Sequence, residues 1–233
     1  MKIYLSVVFL VLSTWAWSQK VINDPNVEPR SVGTFHAIEI SNAFDVYLTQ
    51  GSEEGLAVSA SDKSAIEGIR TEVQNGVLKI WFDSKMKWQS RKLRAYISVK
   101  NLSRISASGA NDVHIEGALS VPDLEIHLAG ASDFEGTINV KNKLRADLNG
   151  ACDLKISGSA EQAVITAAGA SDVRAFDFRV ASCTISATGA TDVKVTVERE
   201  LSAEISGASD VTYKGNAVIK DLKKSGSSSI RKS

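Results

Sequence analysis

The sequence predicts an all-β fold, a parallel β-helix or β-solenoid of about 20 residues per coil with an irregular N-terminal half. Three observations predict it. The tetrapeptide Gly-Ala-x-Asp occurs six times, starting at Gly109, Gly130, Gly150, Gly169, Gly189 and Gly207, with spacings of 21, 20, 19, 20 and 18 residues. Apolar residues stand at even offsets from each glycine, as in Ile105, Ala107 and Val113 or Ile165, Ala167 and Val173. Odd offsets carry Glu125, His127, Asp147, Lys155, Arg174 and Lys194, so the period is 2 and each bend is flanked by strands. A repeat this short cannot bury a core alone and fits a coil that gains one by stacking on its neighbours.

The elements follow in chain order. Met1-Lys2, the apolar run Ile3 to Leu12 and the small residues of Ala16-Trp17-Ser18 read as an export leader cleaved after Ser18. A buried N-terminal strand is the alternative. No second long apolar run follows, so no membrane span is expected, and no cysteine follows the first run to carry a lipid. Residues 19–30 are a lead-in, and 31–233 a single solenoid domain. Within it, 31–100 is irregular, with strands expected at Leu56–Ala60, Val77–Phe82 and Leu93–Val99 and a turn at Asn75-Gly76. Residues 101–233 hold the regular coils.

Each coil reads as strand, tight bend, strand and variable return turn, with the glycine and the small third residue of the bend pointing inward. Degenerate copies extend the repeat at both ends. Asn42-Ala43-Phe44-Asp45 replaces the glycine, and Ser225-Gly226-Ser227-Ser228-Ser229 replaces the aspartate, as capping coils do. The two cysteines, Cys152 and Cys183, occupy different places in their repeats. They are expected as free thiols in small slots.

Parallel stacking puts Asp112, Asp133, Asp153, Asp172, Asp192 and Asp210 in one ladder. Like charges one strand spacing apart repel by about 0.9 kcal/mol even in bulk water, so something must offset them. Carboxylates suit Ca²⁺, but the calcium-binding nonapeptide needs glycines that this motif lacks. The preferred reading is structural, with each Asp accepting backbone N–H groups within its own bend. No metal and no cofactor are expected.

A second candidate is a basic and aromatic patch. Trp81 and Trp88 interleave with Lys85, Lys87, Arg91, Lys92 and Arg94. Such a patch suits an anionic glycan, lipopolysaccharide or an acidic protein surface, although a hairpin packed on the coil end would read the same way. Lys plus Arg and Asp plus Glu number 27 each, and this balance argues against nucleic acid as a partner. His36, His114 and His127 lack metal-ligand spacing, and neither a nucleophile elbow nor a phosphate loop occurs. The favoured function is therefore non-catalytic: an exported binding or adhesion-type protein of the cell envelope or surface. A glycan-cleaving enzyme on the same scaffold is the alternative, and a structural envelope component a third.

The order of motifs resembles one family of exported proteins, the auto-transporter adhesin, head GIN domain family. The resemblance rests on Phe35-His36-Ala37-Ile38, Phe44-Asp45-Val46-Tyr47-Leu48 with Gly51, Asn75-Gly76-Val77-Leu78-Lys79-Ile80, the Gly-Ala repeats, Tyr213 with Gly215, and Ser225-Gly226-Ser227. It implies a β-rich repeat fold and a role outside the cytoplasm, without naming a ligand.

Overall fold

The alternation becomes a column of stacked strands in a computed structural model, which describes residues 24–83 and 92–233. The N-terminal half supplies β1 (Glu28–Arg30), β2 (Ala37–Asn42), β3 (Phe44–Gln50), β4 (Gly55–Ala60), β5 (Ile69–Gln74), β6 (Val77–Phe82) and β7 (Leu93–Val99). β8 (Arg104–Gly109) leads into five long strands, each making one coil: β9 (Asp112–Gly130), β10 (Asp133–Gly150), β11 (Asp153–Gly169), β12 (Asp172–Gly189) and β13 (Asp192–Gly207). β14 (Asp210–Lys214), β15 (Val218–Lys224) and β16 (Ser229–Lys232) finish the column. The result is a β-solenoid of about six turns of roughly 20 residues each.

From β8 to β14 neighbouring coils pair in parallel, with glycine over glycine through β13 and aspartate over aspartate from β9 on. The residue after each aspartate points inward: Val113, Phe134, Leu154, Val173, Val193 and Val211 are at most 1% exposed. Neither a helix nor an antiparallel pair interrupts residues 105–215.

The irregular half continues the same column. β2 lies on β8 and β3 on β9, so Asn42 stands over Gly109 and Asp45 over Asp112. β6 and β7 stack on β2 and β3 in the same sense. Antiparallel pairing then takes over, with β4 on β7, β1 on β4 and β5 on β6. Asn75 and Gly76 have φ of 52° and 75°, the two left-handed residues a tight hairpin requires. The three strands expected between 51 and 100 are all present. A 3-10 helix at Lys63–Gly68 was not expected. Asp62 caps it locally by accepting the Ser64 N–H at 3.0 Å.

The bend departs from its sequence reading in one respect. The third residue points inward as expected: Asn111, Ser132, Cys152, Ser171, Thr191 and Ser209 are at most 2% exposed. The glycines do not; they lie on the outer rim. Their φ values run from +79° to +127°, a region that penalises any residue with a Cβ. A Cβ on Gly169 would sit 2.4 Å from the Gly150 carbonyl oxygen. That carbonyl also accepts the Ala170 N–H at 2.8 Å. The glycine is thus needed for the stacking bond between coils, not for room near the axis.

Cys152 and Cys183 are buried free thiols. Cys183 lies in register with Ala163 rather than with the bend column, and burial pushes its thiol up to about 12. Among the described residues, no helix is long and apolar enough to cross a membrane.

Candidate binding groove

The six aspartates form a continuous row, extended by Asp45 at one end and closed by Ser229 at the other. Their contacts differ from the expected bend caps. The side chain that reaches back into its own bend is the third residue's. Ser132 Oγ donates to the Ala129 carbonyl at 3.2 Å, and Ser209 Oγ to the Ser206 carbonyl at 3.0 Å. The aspartates face outward and find partners along the column. Asp133 Oδ1 accepts the Asp153 N–H of the next coil at 3.1 Å. Arg174 bridges Asp172 at 2.8 Å and Asp153 at 3.2 Å, and Lys194 meets Asp192 at 2.6 Å. A side chain two residues further along a strand lies on the same face, so repulsion within the ladder is offset from the adjacent row.

That adjacent row decides the character of the surface. Read along the column it is Tyr96, Tyr47, His114, Glu135, Lys155 and Arg174, followed by Lys194. The first three rings stack, with centroids 5.3 Å apart for Tyr96 and Tyr47 and 5.5 Å for Tyr47 and His114. Lys155 holds Glu135 at 2.6 Å and keeps that carboxyl below its usual range. Asp112 lies beside the rings. Burial, then the charges of Asp133 and Asp45, push its carboxyl up; only His114 pulls the other way, and that is outweighed.

Beyond this row the coils differ in length, and a groove results. In β9 the residues 115–117, and in β12 the residues 176–178, have no partners in the coil stacked on one side, so both strands bulge there. The two coils between them, β10 and β11, lie lower. The groove so formed has a volume of about 630 Å³. Gly136, Thr137, Ile156 and Ser157 form its floor, and Phe176 with Asp177 one wall. Thr137 Oγ1 and Ser157 Oγ are hydrogen-bonded at 2.9 Å. Phe176 is fixed twice: Thr196 Oγ1 donates to its carbonyl at 2.7 Å, and Lys214 Nζ lies 4.2 Å from its ring centre. A smaller hollow of about 250 Å³ adjoins it along Asp112, Asp133 and Asp153.

The basic patch is only partly described. Lys85, Lys87, Trp88 and Arg91 lie outside the described residues. Trp81 is half-buried on β6, in register with Arg70, and Lys92 is exposed. Arg94 is engaged elsewhere. It pairs with Asp24 at 3.1 Å, and the Tyr96 hydroxyl donates to the same carboxylate oxygen at 3.0 Å. Burial raises the Asp24 carboxyl, but Ser59, the Asn26 N–H, Tyr96 and Arg94 outweigh it and hold the pKa below the ordinary value. Burial and Asp24 together push the Tyr96 hydroxyl up to about 12. Asp24 thereby latches the lead-in onto β7. Among the described residues, no group of three or more His, Cys, Asp or Glu side chains is placed to hold a metal ion.

Solved structures share this architecture. A "putative adhesin" from Bacteroides fragilis is 23% identical, with a TM-score of 0.80 over 89% of this chain and 96% of that one. A "putative lipid binding protein" from Parabacteroides distasonis is 22% identical, with a TM-score of 0.68 over 90% and 98%. A "putative adhesin" from Parabacteroides merdae is 20% identical, with a TM-score of 0.63 over 89% and 95%. At these identities the likeness is one of fold. Among curated proteins, none matches the chain. The family model described as "putative auto-transporter adhesin, head GIN domain" matches residues 34–217. The chain belongs to that family.

Proposed function

We propose that this chain is a non-catalytic binding protein of the cell envelope or surface, exported through the leader at residues 1–18. Residues 31–233 act as one solenoid domain. The observation that carries this reading is the family match over residues 34–217, whose description is that of an adhesin. The arrangement of polar side chains supports it. Carboxylates and cations recur coil after coil as ion pairs on an open face, which suits contact over an extended surface more than chemistry at one point. The partner is an anionic glycan, lipopolysaccharide or an envelope protein; one structural neighbour is described as lipid binding. The segment 85–94 offers a second contact surface, with Trp88 as its flat face and Lys85, Lys87 and Arg91 as its charges.

Fractionation tests this. Expressed as the full chain in a Gram-negative host, the product should begin at Gln19 and appear in the periplasm, on the surface or in the medium. It should sediment with added envelope fractions, less so as salt rises. An uncleaved cytosolic product, or no co-sedimentation, would refute the proposal.

A further inference from the structure

We infer that the groove between the β9 and β12 bulges binds a short stretch of polysaccharide, with Phe176 as its stacking wall. The inference rests on the binding role proposed above. Three strand spacings separate β9 from β12, so the groove is roughly 14 Å across, the span of an oligosaccharide segment of roughly two or three rings. Gly136 lets Ile115 of the β9 bulge close down on the floor; a Cβ there would lie 2.4 Å from the Ile115 Cβ. Thr137 and Ser157 add hydroxyls to that floor beside Ile156, a mixture of apolar and hydrogen-bonding surface that matches a sugar ring.

Phe176 supplies the wall. Lys214, on β14, covers the ring from the side away from the groove. The opposite side looks across β11 and β10, so that face is free to stack. The rim carries Glu135 and Asp177 against Lys155, Arg174 and Lys194. The three cations stand in consecutive coils after Glu135, and the rim has one more cation than carboxylates. That slight excess suits a sparsely carboxylated glycan better than a densely charged polyanion. A lipid fits less well, because the groove is open and its floor is partly polar.

The test uses the full chain on a printed array of neutral and uronic-acid oligosaccharides, with vesicles of phosphatidylethanolamine and phosphatidylglycerol alongside. The parent should bind at least one oligosaccharide. Phe176→Ala should weaken that binding at least tenfold. Ser157→Gln, which fills the floor without removing a core contact, should do the same with an unchanged melting curve. If both variants bind like the parent, or if the parent binds vesicles and no oligosaccharide, the inference is wrong. If the parent binds neither yet still sediments with envelope fractions, the groove inference falls and the binding role stands. If envelope capture also fails, both fall.

Discussion

The two ends of the aspartate ladder share one backbone geometry and differ in their neighbours. At the N-terminal end, Asp45, Asp112 and Asp133 lie beside Tyr47, His114 and Glu135, and Asp112 is pushed up by burial and by the two flanking charges. Further along, Asp153, Asp172 and Asp192 lie beside Lys155, Arg174 and Lys194, and Arg174 and Lys194 make ion pairs with all three. The bends superpose in register all the same. The backbone therefore sets the bend, through the left-handed glycine and the inter-coil bond from the following alanine, while the carboxylate row is free to vary in what it contacts.

The largest expected effect tests the shared part. Gly130→Ala and Gly169→Ala each force a Cβ to 2.4 Å from a glycine carbonyl oxygen at positive φ. Each should cost about 2–4 kcal/mol, measured by urea denaturation. The two costs should agree within about 1 kcal/mol; a large difference would mean that the charged row helps to set the bend. Next comes the compensated stretch. Arg174→Ala leaves Asp153 and Asp172 facing each other unpaired and should cost about 0.5–1 kcal/mol, shrinking as salt rises. An effect that is indifferent to salt would refute the electrostatic account.

Smaller effects should differ in sign between the ends. Asp112 has a raised folded pKa, so its protonated form favours the folded state. Its contribution is best below the unfolded value near 3.8 and is lost as pH rises through the folded one. Asp112→Asn should therefore stabilise at pH 7, by less than about 1 kcal/mol given its exposure, and the gain should vanish below about pH 4. Asp172→Asn should instead destabilise slightly at pH 7, because it removes the Arg174 pair. Thermal melts at both pH values decide this; two changes of the same sign would break the comparison. The smallest effect concerns the buried column that both ends share. Cys152 Sγ lies 3.8 Å from the Gly130 carbonyl oxygen and 3.9 Å from that of Asn149, in the place that Ser132, Ser171 and Ser209 take in their coils. Cys152→Ser should change stability by no more than about 0.5 kcal/mol, and a loss above about 2 kcal/mol would show that the slot excludes a hydroxyl.

Much of the column was legible because its signals are local. Period-2 alternation marks the strands, and Asn42 and Ser229 could be placed in the bend column as degenerate copies. The Asn42 copy is not the capping coil expected, because β6 and β7 stack beyond β2 and β3. The outward direction of the glycines was not legible. It depends on φ and on a carbonyl one coil away, about 20 residues distant in sequence. The groove escaped for a related reason. Repeat spacing counts the extra residues in a coil but does not say which turn absorbs them, so bulges at 115–117 and 176–178 leave the glycine period almost intact. The aromatic end of the adjacent row was hidden as well: Tyr47 and Tyr96 lie outside the regular repeat and meet only because β3 and β7 stack.

A column of parallel, in-register coils has one latent hazard, since each flat end could accept another molecule and grow into a fibre. The two ends are protected differently. At one end β4 reverses direction on β7, and β1, three residues with Pro29 at its centre, is the outermost strand of that layer. A short strand carrying a proline is a poor template for pairing. At the other end β15 exposes Val218 and Leu222, but Lys220, Lys223 and Lys224 are interspersed with them, and charge repels a second copy. The latch from Asp24 to Arg94 and Tyr96 ties the lead-in that carries β1 onto β7, and so holds this short edge strand over β4. A chain that lost it would uncover the edge of β4, an antiparallel strand, while the parallel layers beneath stayed covered.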